Sequence, residues 1–282
     1  PGHEQYTRNM ATGASNADVA IILIDAQRGI LSQTCRHSYI VNMLGVKNIC
    51  LAINKMDLVN YSQKIFEQIK KDYIQFSSKL DFKSITTIPL SALKGDNILE
   101  LSPKTEWFSG LSLLQFLESI DCQEKEEPKP FTLPIQWVNR LSHNFRGFCG
   151  QVAQGSIAVG DEVIVKPSNK SSKISRIIIA NSENKNCSSG DSITLTLEDQ
   201  IDISRGDIIS SKDSLCDLSS HFQAKILWMN EEEMSPGRPY IFKFSVSESS
   251  GFVSKLRNRI NINTFNDEPA TNLKLNEIGL VN

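Results

Sequence analysis

Apolar residues recur along the chain in two rhythms, and the change between them divides the protein. Near the start, residues 19–25 (VAIILID), 48–54 (NICLAIN) and 84–90 (SITTIPL) are short, nearly unbroken apolar runs rich in β-branched side chains. Such runs suit strands buried on both faces of a sheet. Helix-period segments separate them. Residues 33–44 read as one helix, halted by Gly45. Ser62 is placed to cap another that reaches about Lys79. Ile65, Phe66, Ile69, Tyr73 and Phe76 lie along one face of it, and Glu67 and Lys71 pair four residues apart on another. Residues 110–120 (GLSLLQFLESI) close the region as a third helix. Strands joined by helices of this length imply right-handed crossovers and a parallel sheet.

Residues 121–130 (DCQEKEEPKP) break the pattern with charge and two prolines, and read as a linker. Beyond it, short β-branched segments fall at 131–138, 148–152, 162–165, 173–180 and 192–197. Turn residues separate them at Gly155, Gly160-Asp161, Asn169, Gly190-Asp191 and Gly206-Asp207. That spacing predicts a small β-barrel. A serine-rich stretch at 210–220 marks a second boundary, followed by strands at 223–229, 240–246, 252–262 and 276–282. The expected organisation is an α/β domain over 1–125, a β-barrel domain over 126–217 and part of another β-barrel domain over 218–282. Trp137 and Trp228 are expected in the core.

Composition narrows the class. The 282 residues are 40% hydrophobic and 22% charged, ordinary for globular proteins, which sets aside disordered, collagen and coiled-coil classes. The longest unbroken apolar run, 19–24, has six residues, against the roughly 20 of a spanning helix. No membrane is expected. A net charge of −2 gives no global basic field for nucleic acid. Lys255, Arg257 and Arg259 read as a solvated strand face, and Arg146 as an interface or turn residue. The six cysteines (35, 50, 122, 149, 187 and 216) are never closer than 15 positions, so no CxxC occurs. Scattered thiols point to a reducing, cytoplasmic setting without disulfides, and Cys149 reads as structural. The four histidines (3, 37, 143 and 221) form no metal-ligand spacing, so no metal site is indicated.

The candidate chemistry sits where the parallel strands end, the place at which open α/β sheets bind ligands. NICLAIN runs into Asn54-Lys55-Met56-Asp57. A carboxylate held there can accept two hydrogen bonds from guanine, at N1–H and the exocyclic amine, a pair that adenine lacks. The Lys55 stem can lie over the base, and Asn54 can tie the loops together. The bland alternative is a polar turn, since Asn and Asp favour turns. The next strand ends in Ser91-Ala92-Leu93, where a small residue lets a backbone N–H approach a base carbonyl. The amino terminus reads Pro1-Gly2-His3. The glycine N–H can meet a phosphate oxygen, and the histidine can position a water for attack on a γ-phosphate.

These segments, in this order, are the third, fourth and fifth nucleotide motifs of a GTPase, and residues 1–57 resemble the translation-factor GTPase superfamily. The resemblance implies an α/β P-loop GTPase domain with a parallel sheet, truncated at its amino terminus, followed by two β-barrel domains. Two groups within the superfamily are similar. The elongation factor Tu group shares PGH, NKxD and the two barrels. The large, GTP-hydrolysing subunits of bacterial sulfate adenylyltransferases also match at residues 6–20 (YTRNMATGASNADVA), Arg36-His37-Ser38, the Phe145-Arg146-Gly147 turn and residues 197–208 (LEDQIDISRGDI). This second resemblance implies GTP as cofactor with Mg²⁺, and a separate small ATP-binding subunit as partner. GTP hydrolysis then drives formation of adenosine 5′-phosphosulfate. It assigns Pro1 and Gly2 to the γ-phosphate and His3 to the attacking water. Asn54, Lys55, Met56 and Asp57, with Ser91, Ala92 and Leu93, fall to guanine. No Gly-x-x-x-x-Gly-Lys-Ser/Thr occurs in the chain, which opens at Pro1. The expectation is therefore an internal segment, without the phosphate loop and metal ligands, that alone neither binds GTP tightly nor hydrolyses it. A non-catalytic interaction module is the third alternative.

Overall fold

The structure, a computed structural model, describes residues 7–121, 129–142, 145–214 and 218–282. Pro1, Gly2, His3, Cys122, His143, Cys216 and most of the charged linker lie outside the described residues. The chain divides into two compact units, one of Pro1–Gln123, Gln223–Pro236 and Val253–Asn282, the other of Glu124–Phe222 and Gly237–Phe252.

The first unit is built on β1 (Val19–Asp25), β2 (Asn48–Asn54) and β3 (Ser84–Pro89), all parallel with β2 in the centre. Six consecutive residues of β2, Asn48 to Ile53, are buried. This is why the strand reads as an unbroken apolar run: both its faces are covered. Helices α2 (Ser32–Met43) and α3 (Gln63–Ser77) make the two crossovers. Ser62 caps α3 as expected, accepting from the Ile65 N–H at 3.5 Å, while Phe66, Ile69 and Tyr73 are buried. Glu67 pairs with Lys70 at 3.7 Å instead of Lys71, since residues three apart are equally close on a helix surface. Helix α4 (Leu113–Ser119) starts later than the pattern suggests, because Ser112 and Gln115 form a reciprocal capping box.

Helix α1 (Thr7–Ala14) was not expected from sequence. Its intrinsic propensity is poor, with two threonines and Gly13. Tertiary packing holds it instead: Ala11 joins Tyr39 and Ile40 of α2 and Ile260 and Ile278 of the carboxy-terminal strands in one buried cluster. Arg8 adds a bond from Nη2 to the Met229 carbonyl at 2.6 Å. The Phe265 ring lies 5.5 Å from Tyr39 and 5.0 Å from Phe76.

The second unit contains β4 (Thr132–Pro134), β5 (Trp137–Ser142), β6 (Phe145–Gln151), β7 (Ser156–Ala158), β8 (Glu162–Lys166), β9 (Lys170–Ile179), β10 (Ser182–Asn184), β11 (Asn186–Ser188), β12 (Ser192–Leu197) and β13 (Ile208–Ser211). The main sheet runs β4-β13-β8-β9-β12-β6-β5. Its edge strands β4 and β5 are separated only by Ile135 and Gln136, so the sheet must curl until its edges meet, forming a barrel. The single strand expected at 131–138 therefore breaks in two: Ile135 N–H bonds Asp207 and Gln136 N–H bonds Cys149. Gly150 permits this corner, because a Cβ there would sit 2.3 Å from the Pro134 carbonyl oxygen. Phe131, Leu133, Phe148, Val165, Ile177 and Leu195 fill the interior. Trp137, expected in that core, is 60% exposed. Val138 packs on the interior instead, so the alternation of the strand turns the indole outward.

The remaining strands are β14 (Ala224–Leu227), β15 (Pro239–Phe244), β16 (Ser247–Phe252), β17 (Leu256–Ile260), β18 (Asp267–Glu268) and β19 (Ile278–Val281). They form a sheet of order β14-β19-β17-β18 in the first unit and a β15–β16 hairpin in the second. The basic cluster near 255–259 is partly neutralised, as Arg259 meets Glu277 at 2.6 Å and Glu268 at 2.7 Å. Cys35, Cys50, Cys149 and Cys187 are free thiols. Burial pushes Cys50 up to about 12, which suits an inert structural thiol.

Candidate nucleotide site

The polar loops that follow β2 and β3 meet at the carboxyl ends of the sheet. Asn54 is the joint between them. Its Oδ1 accepts from the Lys55 N–H at 2.7 Å and from the Ala92 N–H at 2.9 Å. The loop-tying role expected of Asn54 is thus a pair of hydrogen bonds. The Ala92 N–H, expected to face a base carbonyl, is held by Asn54 in this structure.

Lys55 adopts a left-handed conformation at φ 63°, which turns the chain sharply out of β2. Met56 is fully buried and starts a short 3-10 turn, Met56–Val59, while its N–H bonds the Leu90 carbonyl at 3.2 Å. Met56 therefore anchors the loop from below. Asp57 is half-buried and accepts from Ser91 Oγ at 2.6 Å through Oδ1. Among the described residues nothing donates to its Oδ2. Ser91 is fully buried, and Leu93 is 83% exposed at the loop tip.

Asp25, at the end of β1, belongs to the same cluster and was missed from sequence. Lys55 Nζ donates to its Oδ2 at 2.7 Å. That hydrogen bond, against some burial, holds the Asp25 carboxyl below the usual carboxylate range. The signal was present as an acid closing the apolar run VAIILID. The pair fixes where the Lys55 stem runs.

A second layer stabilises the Ser91–Ala92–Leu93 loop. Ser91 and Asp96 form an isolated bridge, and Gly95 N–H bonds the Ser91 carbonyl at 2.8 Å. The Asp96 carboxylate receives Tyr61 OH at 2.5 Å, Ser102 Oγ at 2.7 Å and Lys104 Nζ at 3.2 Å. Burial pushes Asp96 up, and these three donors together outweigh it, leaving the carboxyl below its ordinary value.

The strand ends thus gather an Asp57 carboxylate oxygen with no donor among the described residues, the Ala92 N–H held by Asn54, and the Lys55 stem directed to Asp25. The expected phosphate group of residues, Pro1, Gly2 and His3, lies outside the described residues. Among the described residues no cluster of three His, Cys, Asp or Glu can hold a metal ion. No helix among the described residues is long and apolar enough to cross a membrane.

Residues 1–123 match the family model described as the elongation factor Tu GTP binding domain, and residues 221–282 match GTP-eEF1A C-terminal domain-like. The first region is thus similar to an elongation-factor-type GTPase domain on a parallel sheet, and the last to a β-rich domain of the eEF1A carboxy-terminal kind. A solved structure of sup35 complexed with GDP aligns at a TM-score of 0.51 and 22% identity, over 96% of this chain and 71% of that one, a likeness of fold alone.

Curated relatives match along the whole chain. The chain is 46% identical over 281 residues to sulfate adenylyltransferase subunit 1 of Alteromonas mediterranea and of Teredinibacter turnerae, covering 100% of this chain and 60% of each relative. It is 46% identical over 282 residues to the bifunctional enzyme NodQ of Rhizobium sp., covering 44% of that protein. The chain spans about 60% of the length of the subunit 1 relatives.

Proposed function

We propose that this chain forms the guanine-reading part and adjoining β-domains of the GTPase subunit of a sulfate adenylyltransferase. Asp57 accepts guanine N1–H and the exocyclic amine, and the Lys55 stem covers the base. The guanine carbonyl replaces Asn54 Oδ1 as acceptor of the Ala92 N–H. Met56, Ser91 and Leu93 shape the loops, Gly2 beside Pro1 meets the γ-phosphate, and His3 orients the attacking water. The Mg²⁺ that accompanies GTP is held outside the described residues. The domain division 1–125, 126–217 and 218–282 is part of this reading.

The parent protein works in the cytoplasm with a small ATP-binding subunit as a heterodimer. There GTP hydrolysis drives ATP and sulfate to adenosine 5′-phosphosulfate and pyrophosphate, a step of sulfate assimilation towards cysteine. The observation that carries the reading is Asn54 bridging the two loops at 2.7 Å and 2.9 Å beside an Asp57 carboxylate with one open oxygen. The 46% identity across the chain supports this reading over other GTPase activities.

An elongation-factor-like translation GTPase is the second reading, favoured by the names of the two domain models. Reconstitution of the full-length protein with the small subunit separates the two. The proposal expects sulfate-dependent pyrophosphate release that rises on adding GTP. Release indifferent to GTP, together with binding of aminoacyl-tRNA, would favour the second. The 282 residues alone contain no Gly-x-x-x-x-Gly-Lys-Ser/Thr, and are expected to bind GTP weakly and not to hydrolyse it.

A further inference from the structure

The exposed tryptophan of the barrel opens a different question. Trp137 lines an open cleft of about 320 Å³ together with Arg140, Arg146 and Arg205. Val138, on the same strand, packs on the core, yet Arg140, two residues on, is exposed. The register of β5 on β6 shifts between Asn139 and Ser142, and such an irregularity re-aims the side chains beside it.

The three arginines are not equivalent. Arg146 is pinned: Nη2 donates to Asp202 Oδ1 at 2.9 Å and to the Ile203 carbonyl at 3.1 Å, and its guanidinium lies 5.5 Å from the Phe148 ring centre. Asp202 offsets its charge, while its buried Nε has no partner. Arg140 and Arg205 are exposed, and no described residue pairs with either. An indole face kept in water beside unpaired guanidinium groups contributes little to folding. It offers a stacking platform for a flat ring and forked donors for an anionic group. A cleft of this size suits a small molecule.

We propose that this cleft binds a nucleoside monophosphate, its base stacked on Trp137 and its phosphate held by Arg140 and Arg205, as a site separate from the guanine loops. Stacking tolerates any base, since every base has a π-face, so the site selects a base-plus-phosphate and not a particular base. Arg146 stays on Asp202 and forms the floor.

The test titrates adenosine 5′-monophosphate into the 282-residue chain. Adenine is chosen because the guanine loops are built to reject it. Equilibrium dialysis reads binding, and tryptophan fluorescence reads the place. The chain has three tryptophans, and Trp137→Phe removes the one that should respond. The proposal expects quenching that disappears in Trp137→Phe. It expects affinity to fall at least about tenfold in the double variant Arg140→Ala/Arg205→Ala, and less in Arg140→Lys/Arg205→Lys, which keeps charge without the fork. Adenosine without phosphate should bind as poorly as the alanine variant, and Asp57→Asn should bind normally. Absence of binding, unchanged affinity in the alanine variant, or equal binding of inorganic phosphate would each overturn it. A failure here leaves the guanine reading untouched, because Asp57 plays no part.

Discussion

The parallel sheet and the barrel bury their strands differently, and that difference decides where function can be read. In β2 six consecutive residues are buried, so both faces are committed to packing. Polar residues survive only at the strand's two ends, Asn48 and Asn54, and at the carboxyl end the loops Asn54-Lys55-Met56-Asp57 and Ser91-Ala92-Leu93 meet. In β9 the burial alternates over most of the strand, with Ile174 and Ile177 inside and Lys173, Ser175 and Arg176 in water. Half of each barrel strand is therefore free to carry polar or aromatic chemistry, and nothing in the pattern marks which outward residues use that freedom.

Substitution tests this contrast most severely where a charge meets a buried face. Ile49→Asp and Cys50→Asp, on opposite faces of β2, should each destabilise by more than about 4 kcal/mol in urea unfolding. In β9, Ile174→Asp should do the same, while Ser175→Asp should stay within about 0.5 kcal/mol. A tolerated aspartate at either β2 position would break the comparison.

A smaller effect follows pH. His37 on α2 is pushed down to about 4, chiefly by burial, with the Arg36 charge acting in the same direction, and its Nε2 has no partner among the described residues. A histidine lowered below its ordinary 6.5 is neutral in the fold and charges more readily when unfolded. Its contribution is complete above pH 6.5 and declines as pH falls towards 4. His37→Gln should flatten that part of the stability profile, measured by thermal unfolding across the interval.

At the site, Asn54→Ala leaves the exposed N–H groups of Lys55 and Ala92 to water. Stability should fall only about 1 kcal/mol, with guanine-nucleotide affinity of the full-length protein falling further. On the hairpin, Lys243 pairs with Glu248 at 3.1 Å with both side chains more than half exposed. Lys243→Ala should therefore change stability by less than about 0.5 kcal/mol.

What was legible in the sequence follows the same division. The bounds of β2 and the Asn54 bridge were readable because burial on both faces leaves an unbroken apolar run and a sharp polar stop; β1 shows the same run and bounds, yet the expected burial on both faces fails there, since Leu23 is 61% exposed on the open face of this edge strand. Helix α1 was not, since its threonines and glycine carry no helical signal and long-range contacts with Ile260 and Ile278 hold it. Asp25 was missed because its partner, Lys55, lies 30 residues away. Trp137 was misplaced because hydrophobicity predicts burial only on average, and the split of β4 from β5 at the barrel corner decides which way it points.

The central claim is that Asp57 reads guanine. Its most direct test is competitive binding of guanosine and xanthosine diphosphates to the full-length protein and its Asp57→Asn variant. The account predicts that the variant loses roughly a hundredfold or more in preference for guanine over xanthine, because the carboxamide can donate where the carboxylate only accepted. An unchanged preference for guanine in the variant would contradict it.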